Sequence, residues 1–404
     1  MIPLLTSLFA ATLSGPPPAV LLVGPTRFYQ TIDAALVAAP AGAQLLVDPG
    51  TYARFTITNP VSIAGNGGTF TVQLNSGFDG ITVAGTTGTV AIEDARITMD
   101  QTNSTPIVLV GCSGDVRLRN VVVDTNTDLG GTWARAAITV YACADVIFER
   151  VTVNSAQAHR GSTAVPDGLN NGLSALRVED ANLYLRECVL RGFDAPLGNR
   201  YGGDALRAIT TTATAKVDAT LWGGAAAQVL IGGNGGAGNG GNCVHHIGTG
   251  SCLVEGCFLH LLSPGAGTTL AGGVYATNNN GGGGGQQIPF CIDLVAFTTT
   301  APSTIAPGTS VGITVSDPYP GGPCLLLASI GSTFTPPVPG VHGRSLLGAN
   351  SFSLGFGTIP ATFALTLPAD PNLIGLQLTA QALVTSGSAT VVSGLSRPSF
   401  LGVR

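Results

Sequence analysis

The sequence predicts an all-β fold: a right-handed, single-stranded parallel β-helix with an N-terminal capping helix, followed by a small C-terminal β-sandwich. Three observations carry this prediction. The 404 residues include 57 glycines and 25 prolines but only 10% charged residues, a balance of turn and strand formers that excludes both a disordered chain and a charged helical bundle. An apolar-x-apolar-x-x-apolar-x-apolar figure recurs from Val90, Val116, Val146, Leu183, Ala215 and Cys252. Beyond residue 290 that figure gives way to strands separated by Pro/Gly turns.

The chain opens with MIPLLTSLFAATLSG, an apolar run ending in small residues and too short to span a bilayer. Residues 1–20 are therefore expected to be a signal peptide, which places the mature protein in the secreted or cell-surface compartment. No later stretch has the roughly 18 consecutive apolar residues of a transmembrane helix. In QTIDAALVAAP, Ile32, Ala35, Leu36 and Ala39 share one helical face and Pro40 ends it. LLVDPGTY then reads as a strand and a turn.

The repeat explains the rest of the first domain. In GDVRLRNVVVD, Val116 and Leu118 point inward, Arg119 and Asn120 turn a corner, and Val121 and Val123 point inward again. Of the pattern positions in the six copies, only Thr220 is conventionally polar. Each copy is preceded by a third short strand, such as Ile107–Leu109, Ile138–Val140, Leu176–Val178 and Leu206–Ala208. Three short strands per coil, with loops of variable length and no helix between coils, describe stacked coils about 4.8 Å apart. The expected domains are 21–276 for the β-helix, 277–289 for a Gly/Asn-rich linker and 290–404 for the sandwich.

FYQTIDAALVAAPAGAQLLVDPGTYARFTITNPVSIAGNGG resembles the opening of pectin-lyase-like β-helix proteins. There a capping helix, a turn of the PGTY type and an "i-x-G" strand begin the first coils. The resemblance runs from about residue 27 to 275 and implies the fold more than an activity. The ending FALTLPADPNLIGLQLTAQALV with GLSRPSFLGV is similar to a C-terminal β-module of exported proteins of environmental bacteria, which implies attachment or spacing.

Aligned coils put Cys112 and Cys143 at the same turn, where they form either a disulfide or a stack of free thiols. Cys291 and Cys324 are expected to pair within the C-terminal domain, and Cys188 and Cys257 to be buried and reduced. A corner column runs Glu93, Arg119, Glu149, Arg186, Asp218, Glu255. Its alternating sign through Asp218 reads as a structural ladder that also selects register.

Candidate functional residues lie on the opposite edge, where loops 155–172, 191–203 and 223–241 are long and uneven. They carry His159, Arg160, Arg191, Arg200 and Asp204. The strand after the loops presents Arg177, Arg207 and His245 outward in consecutive coils. Neighbouring cations repel, so the stripe calls either for an extended anionic ligand or for local neutralisation by Asp204, Glu179 or Asp180. The predicted partner is an acidic polysaccharide or cell-surface glycan. A net charge of −5 without a Lys/Arg run gives no footprint for nucleic acid. The chain is expected to be monomeric.

The resemblance implies a cleft on this sheet and, for an enzyme, β-elimination by a base with a cation steadying the developing charge. Arg177 and Arg207 then hold the carboxylate with Arg191, Asp204 and Arg160 nearby, and His245, Arg200 or His159 is the base. No carboxylate cluster suited to Ca²⁺ lies on the strand, so no cofactor is expected. The NTD and GDD motifs of polygalacturonase-like hydrolases and the paired Asp and Arg motifs of pectin methylesterases are absent, so no catalytic residue transfers by resemblance. The alternative function is a non-catalytic surface or adhesion protein with the β-helix as a rigid rod.

Overall fold

The structure is a computed structural model that describes residues 18–74, 79–99, 105–125, 136–155, 174–193, 202–222, 230–231, 242–256, 262–263, 276–279, 286–287, 298–301, 304–316, 321–330, 345–348, 351–385, 393–395 and 399–403. Two compact units divide the chain, one spanning Val20–Cys291 and the other Ile292–Arg404 together with Met1–Ala19.

The first unit is a parallel β-helix. Among the described residues its strands form three parallel stacks of ten, eight and eight members. The first sheet runs from Val20–Val23 through Val116–Arg119 to Gln286–Gln287, the second contains strands such as Val122–Thr125, and the third strands such as Ile138–Tyr141. Ile81, Ile107, Ile138, Leu176, Leu206 and Val244 stand in one continuous third-sheet register. All six are completely buried. Removing such side chains from water contributes about 1.5–3 kcal/mol each. The capping helix spans Ile32–Ala38 and buries Ile32 and Ala35, while the Thr31 side chain accepts from Ala34 N at its N-terminus.

The corners explain why the alternation breaks. Asp94, Asn120, Arg150 and Glu187 follow first-sheet strands with φ of 57°, 53°, 52° and 53°. This left-handed conformation reverses the pleat; it is mild for Asn and Asp but costs about 1–2 kcal/mol at other non-glycine residues. Stacking offsets that cost: Asn120 N donates to Glu149 O at 3.0 Å and Arg150 N to Arg186 O at 2.8 Å. Side chains extend the ladder, with Asn120 Nδ2 donating to Asp94 Oδ1 at 2.8 Å and Arg150 Nε to Asn120 Oδ1 at 2.6 Å.

Glu93, Arg119, Glu149 and Arg186 stand in register as expected. Arg119 Nη2 meets Glu93 Oε2 at 2.5 Å and Arg186 Nη1 meets Glu149 Oε1 at 3.2 Å. All four residues are buried, so the ladder is a covered one. The upper end of the column is corrected. Within Lys216–Trp222, Ala219 pairs with Leu183 and Trp222 with Arg186, so Asp218 stands beside Asn182. Glu255 pairs with Thr220. The fifth copy therefore begins at Ala219, because this longer strand alternates through Val217 and Ala219 without a left-handed corner. Thr220, the polar exception, marked the misplaced copy.

The solenoid continues into the segment expected as a linker: Ala276–Asn279 extends the third sheet and Gln286–Gln287 the first. In the second unit, a three-stranded and a six-stranded sheet share one core. Ile313, Val315 and Leu365 of the former join Leu326, Ala380 and Leu401 of the latter.

Cys112 and Cys143 are buried free thiols in adjacent coils, and Cys324 is also a buried free thiol. Cys291 and Cys257 lie outside the described residues. A hydrogen bond from the Cys143 thiol lowers the Cys112 pKa, and Cys143 is correspondingly raised. Cys188 is buried among Phe148 O and Arg186 O, and burial pushes its pKa up to about 12.

Two predictions follow from the stacking. Arg119→Leu leaves Glu93 buried without this partner and is expected to cost about 3–5 kcal/mol in chemical denaturation, part of which returns in Glu93→Gln/Arg119→Leu; a loss below about 1 kcal/mol contradicts it. Mild oxidation is expected to join Cys112 to Cys143, seen as a cross-linked peptide and a raised Tm that Cys112→Ser abolishes.

Candidate functional site

The third-sheet strands place one outward row, Thr82, Val108, Thr139, Arg177, Arg207 and His245, in continuous register. Inward neighbours Leu176 and Val178 anchor Arg177, and Leu206 and Ala208 anchor Arg207. The predicted stripe is thus assembled, but its exposure falls steeply along the row. The Arg177 side chain is 48% exposed, Arg207 13% and His245 1%.

Local carboxylates neutralise the stripe. Arg177 Nη2 lies 3.4 Å from Glu179 Oε2, and Arg207 Nη2 lies 3.2 Å from Asp204 Oδ2. The same Asp204 oxygen is 2.8 Å from His245 Nδ1. Repulsion within the row therefore needs no external anion, which overturns the argument for one from like-charge stacking. Asp204, expected to touch substrate, is buried behind the row and organises it. Its Oδ1 accepts from Asn242 N at 3.1 Å and Asn242 Nδ2 at 3.0 Å. Burial by itself raises the Asp204 pKa, but the His245 hydrogen bond, the Arg207 charge and the Asn242 N–H together hold it below the ordinary value.

Arg191 does not join this group. It ends the second-sheet strand Val189–Arg191 and pairs with Ile231. His159, Arg160 and Arg200 lie outside the described residues. Two participants were missed from sequence. Asn242 directly precedes the third strand's coil, as Asp204 does one coil earlier, and ITVY extends the strand to Tyr141. Tyr141 is outward, 46% exposed, and opposite Glu179. It is therefore a diagonal neighbour of Arg177, about 7–8 Å away.

The exposed end of the face offers an aromatic ring, a guanidinium and the Thr82 and Thr139 hydroxyls. The ring presents apolar area with a polar tip, and the guanidinium presents a fork suited to carboxylate. The closed end holds a carboxylate–imidazole pair. Among the described residues, no three His, Cys, Asp or Glu side chains converge to hold a metal ion, and no helix is long and apolar enough to cross a membrane.

A pH prediction follows from Asp204. A carboxylate with a lowered folded pKa adds stability above its unfolded value of about 3.9 and loses it as pH falls through the folded value. The Tm gap between wild type and Asp204→Asn is therefore expected to be fully open above about pH 4 and to close on acidification. A gap that stays constant down to the acid transition contradicts this assignment.

No family model matches the chain, and no curated protein matches it. Among solved structures, it is similar to the pectin methylesterase from Aspergillus niger, with 13% identity over 65% of this chain and 87% of that one and a TM-score of 0.24. That score is too low for the likeness to add to the geometry. The parallel β-helix assignment rests on the three stacked sheets themselves.

Proposed function

We propose that this protein is exported and binds an acidic polysaccharide on the outer face of its third sheet, with β-elimination as the chemistry open to that face. The carrying observation is the exposed Tyr141 and Arg177 on one sheet face, with the Thr139 hydroxyl position beside them. A sugar ring stacks on the phenol face while its carboxylate meets the guanidinium. Elimination suits the residues better than hydrolysis, which needs two carboxylates about 5–9.5 Å apart. Glu179 is ion-paired with Arg177, and Asp204 is buried among its donors.

A second reading, a non-catalytic surface or adhesion rod, is favoured by the internal pairing of Arg177, Arg207 and His245. A panel of uronate polymers separates the two. Arg177→Ala is expected to weaken binding of the preferred polymer about 10–100-fold, and Tyr141→Ala about 3–10-fold, with Tm unchanged. Binding to no polymer, or binding indifferent to both substitutions, sinks the first reading in favour of the rod.

A further inference from the structure

We propose that Asp204 is a positioning residue that makes His245 the proton-accepting base of the third-sheet face. The inference rests on the acidic-glycan reading above for its substrate. Asp204 is buried and receives donors on both oxygens: Asn242 N and Nδ2 on Oδ1, Arg207 and His245 on Oδ2. Such a carboxylate stays ionised and can only accept. At 2.8 Å, it requires His245 Nδ1 to carry the proton. The neutral ring then has its lone pair on Nε2.

That atom is the unexplained feature of the site. His245 Nε2 is buried and has no hydrogen-bond partner. Buried polar atoms are almost always satisfied, and an orphan acceptor destabilises the fold. The adjacent His246 faces the other way: alternation turns it inward, where Thr210 Oγ1 meets its Nε2 at 3.0 Å. His245 instead shares the outward row of Arg207 and Arg177. A fixed tautomer, an orienting carboxylate and a free lone pair on a ligand-bearing face are the parts of a general base.

In the reaction, Nε2 takes the proton from the carbon bearing the uronate carboxylate. The released electron pair forms a ring C=C bond as the neighbouring glycosidic C–O bond breaks, and the imidazolium returns the proton to the departing oxygen. Two shorter chains result, one with an unsaturated end, and no electrons are gained or lost. The ring is sealed from solvent in the free chain, so substrate must reach Nε2 on binding, and that contact is part of the test.

Nitrogen-15 spectra of the full-length wild type are expected to show His245 protonated at Nδ1 and unprotonated at Nε2 near neutral pH, with the Nε2 signal shifting when a saturating uronate oligomer is added. In Asp204→Asn the amide can donate to Nδ1, which favours the opposite tautomer. Release of unsaturated product is then expected to fall about 10³–10⁴-fold while polymer affinity stays within about two-fold, and Asp204→Glu is expected to recover part of the rate. A protonated Nε2 in the wild type, an Nε2 signal indifferent to saturating oligomer, or Asp204→Asn retaining over a tenth of the rate overturns the proposal. Wild type that binds polymer without releasing unsaturated product also overturns it and leaves the binding reading standing. Wild type that binds no polymer overturns both.

Discussion

The β-helix depends on one constraint: each coil must hydrogen-bond to the next in the same parallel register. A short strand of four or five residues has too little area to hold its place alone, so every feature that distinguishes one position from another acts on the whole stack. The left-handed corners at Asp94, Asn120, Arg150 and Glu187 illustrate this. Arginine and glutamate are poor residues for that conformation, yet each occupies it where the coil below already turns. Backbone bonds between coils, such as Arg150 N to Arg186 O, outweigh the local preference.

Charge reinforces the register from a covered position. The Glu93–Arg119 and Glu149–Arg186 pairs lie on the outward side of the first sheet and are nevertheless buried. Buried ion pairs contribute little net stability after desolvation, but a misplaced partner is costly. A slip by one coil would oppose like charges in that environment. The alternation therefore penalises the wrong stack more than it rewards the right one, a fitting role in a chain whose apolar rows are so alike.

The third sheet uses the same scaffold differently. Its outward face begins with threonine and valine, opens at Tyr141 and Arg177, and closes at His245. Asp204 is the hinge of that gradient in chemistry rather than in motion. One carboxylate compensates Arg207, orients His245 and ties the coil of Asn242 to its own. Net positive charge on the face is consequently concentrated less in the row as a whole than at the exposed guanidinium, with Glu179 drawing on it from one side. Recognition on such a face depends on shape and stacking as much as on charge.

Much of this was legible in the sequence. The inward rows, the third-strand register from Ile81 to Val244 and the corner at Arg119-Asn120 follow from side-chain period alone, because a strand's alternation and its interruption are local properties. The fifth coil was misread because Val217 and Ala219 are both inward apolar positions of one long strand, and pairing with Leu183 chose Ala219 as the start. The stripe Arg177, Arg207, His245 was also legible as an alignment, but its meaning was not. Exposure, the convergence of Asp204 and Asn242 on His245, and the isolation of Nε2 depend on side chains from different coils meeting in space. Sequence by itself determined which residues face in and which face out. Only the tertiary structure decided that Asp204, which neutralises Arg207 within its own coil, also reaches His245 and Asn242, since those contacts join residues 41 and 38 positions apart along the chain.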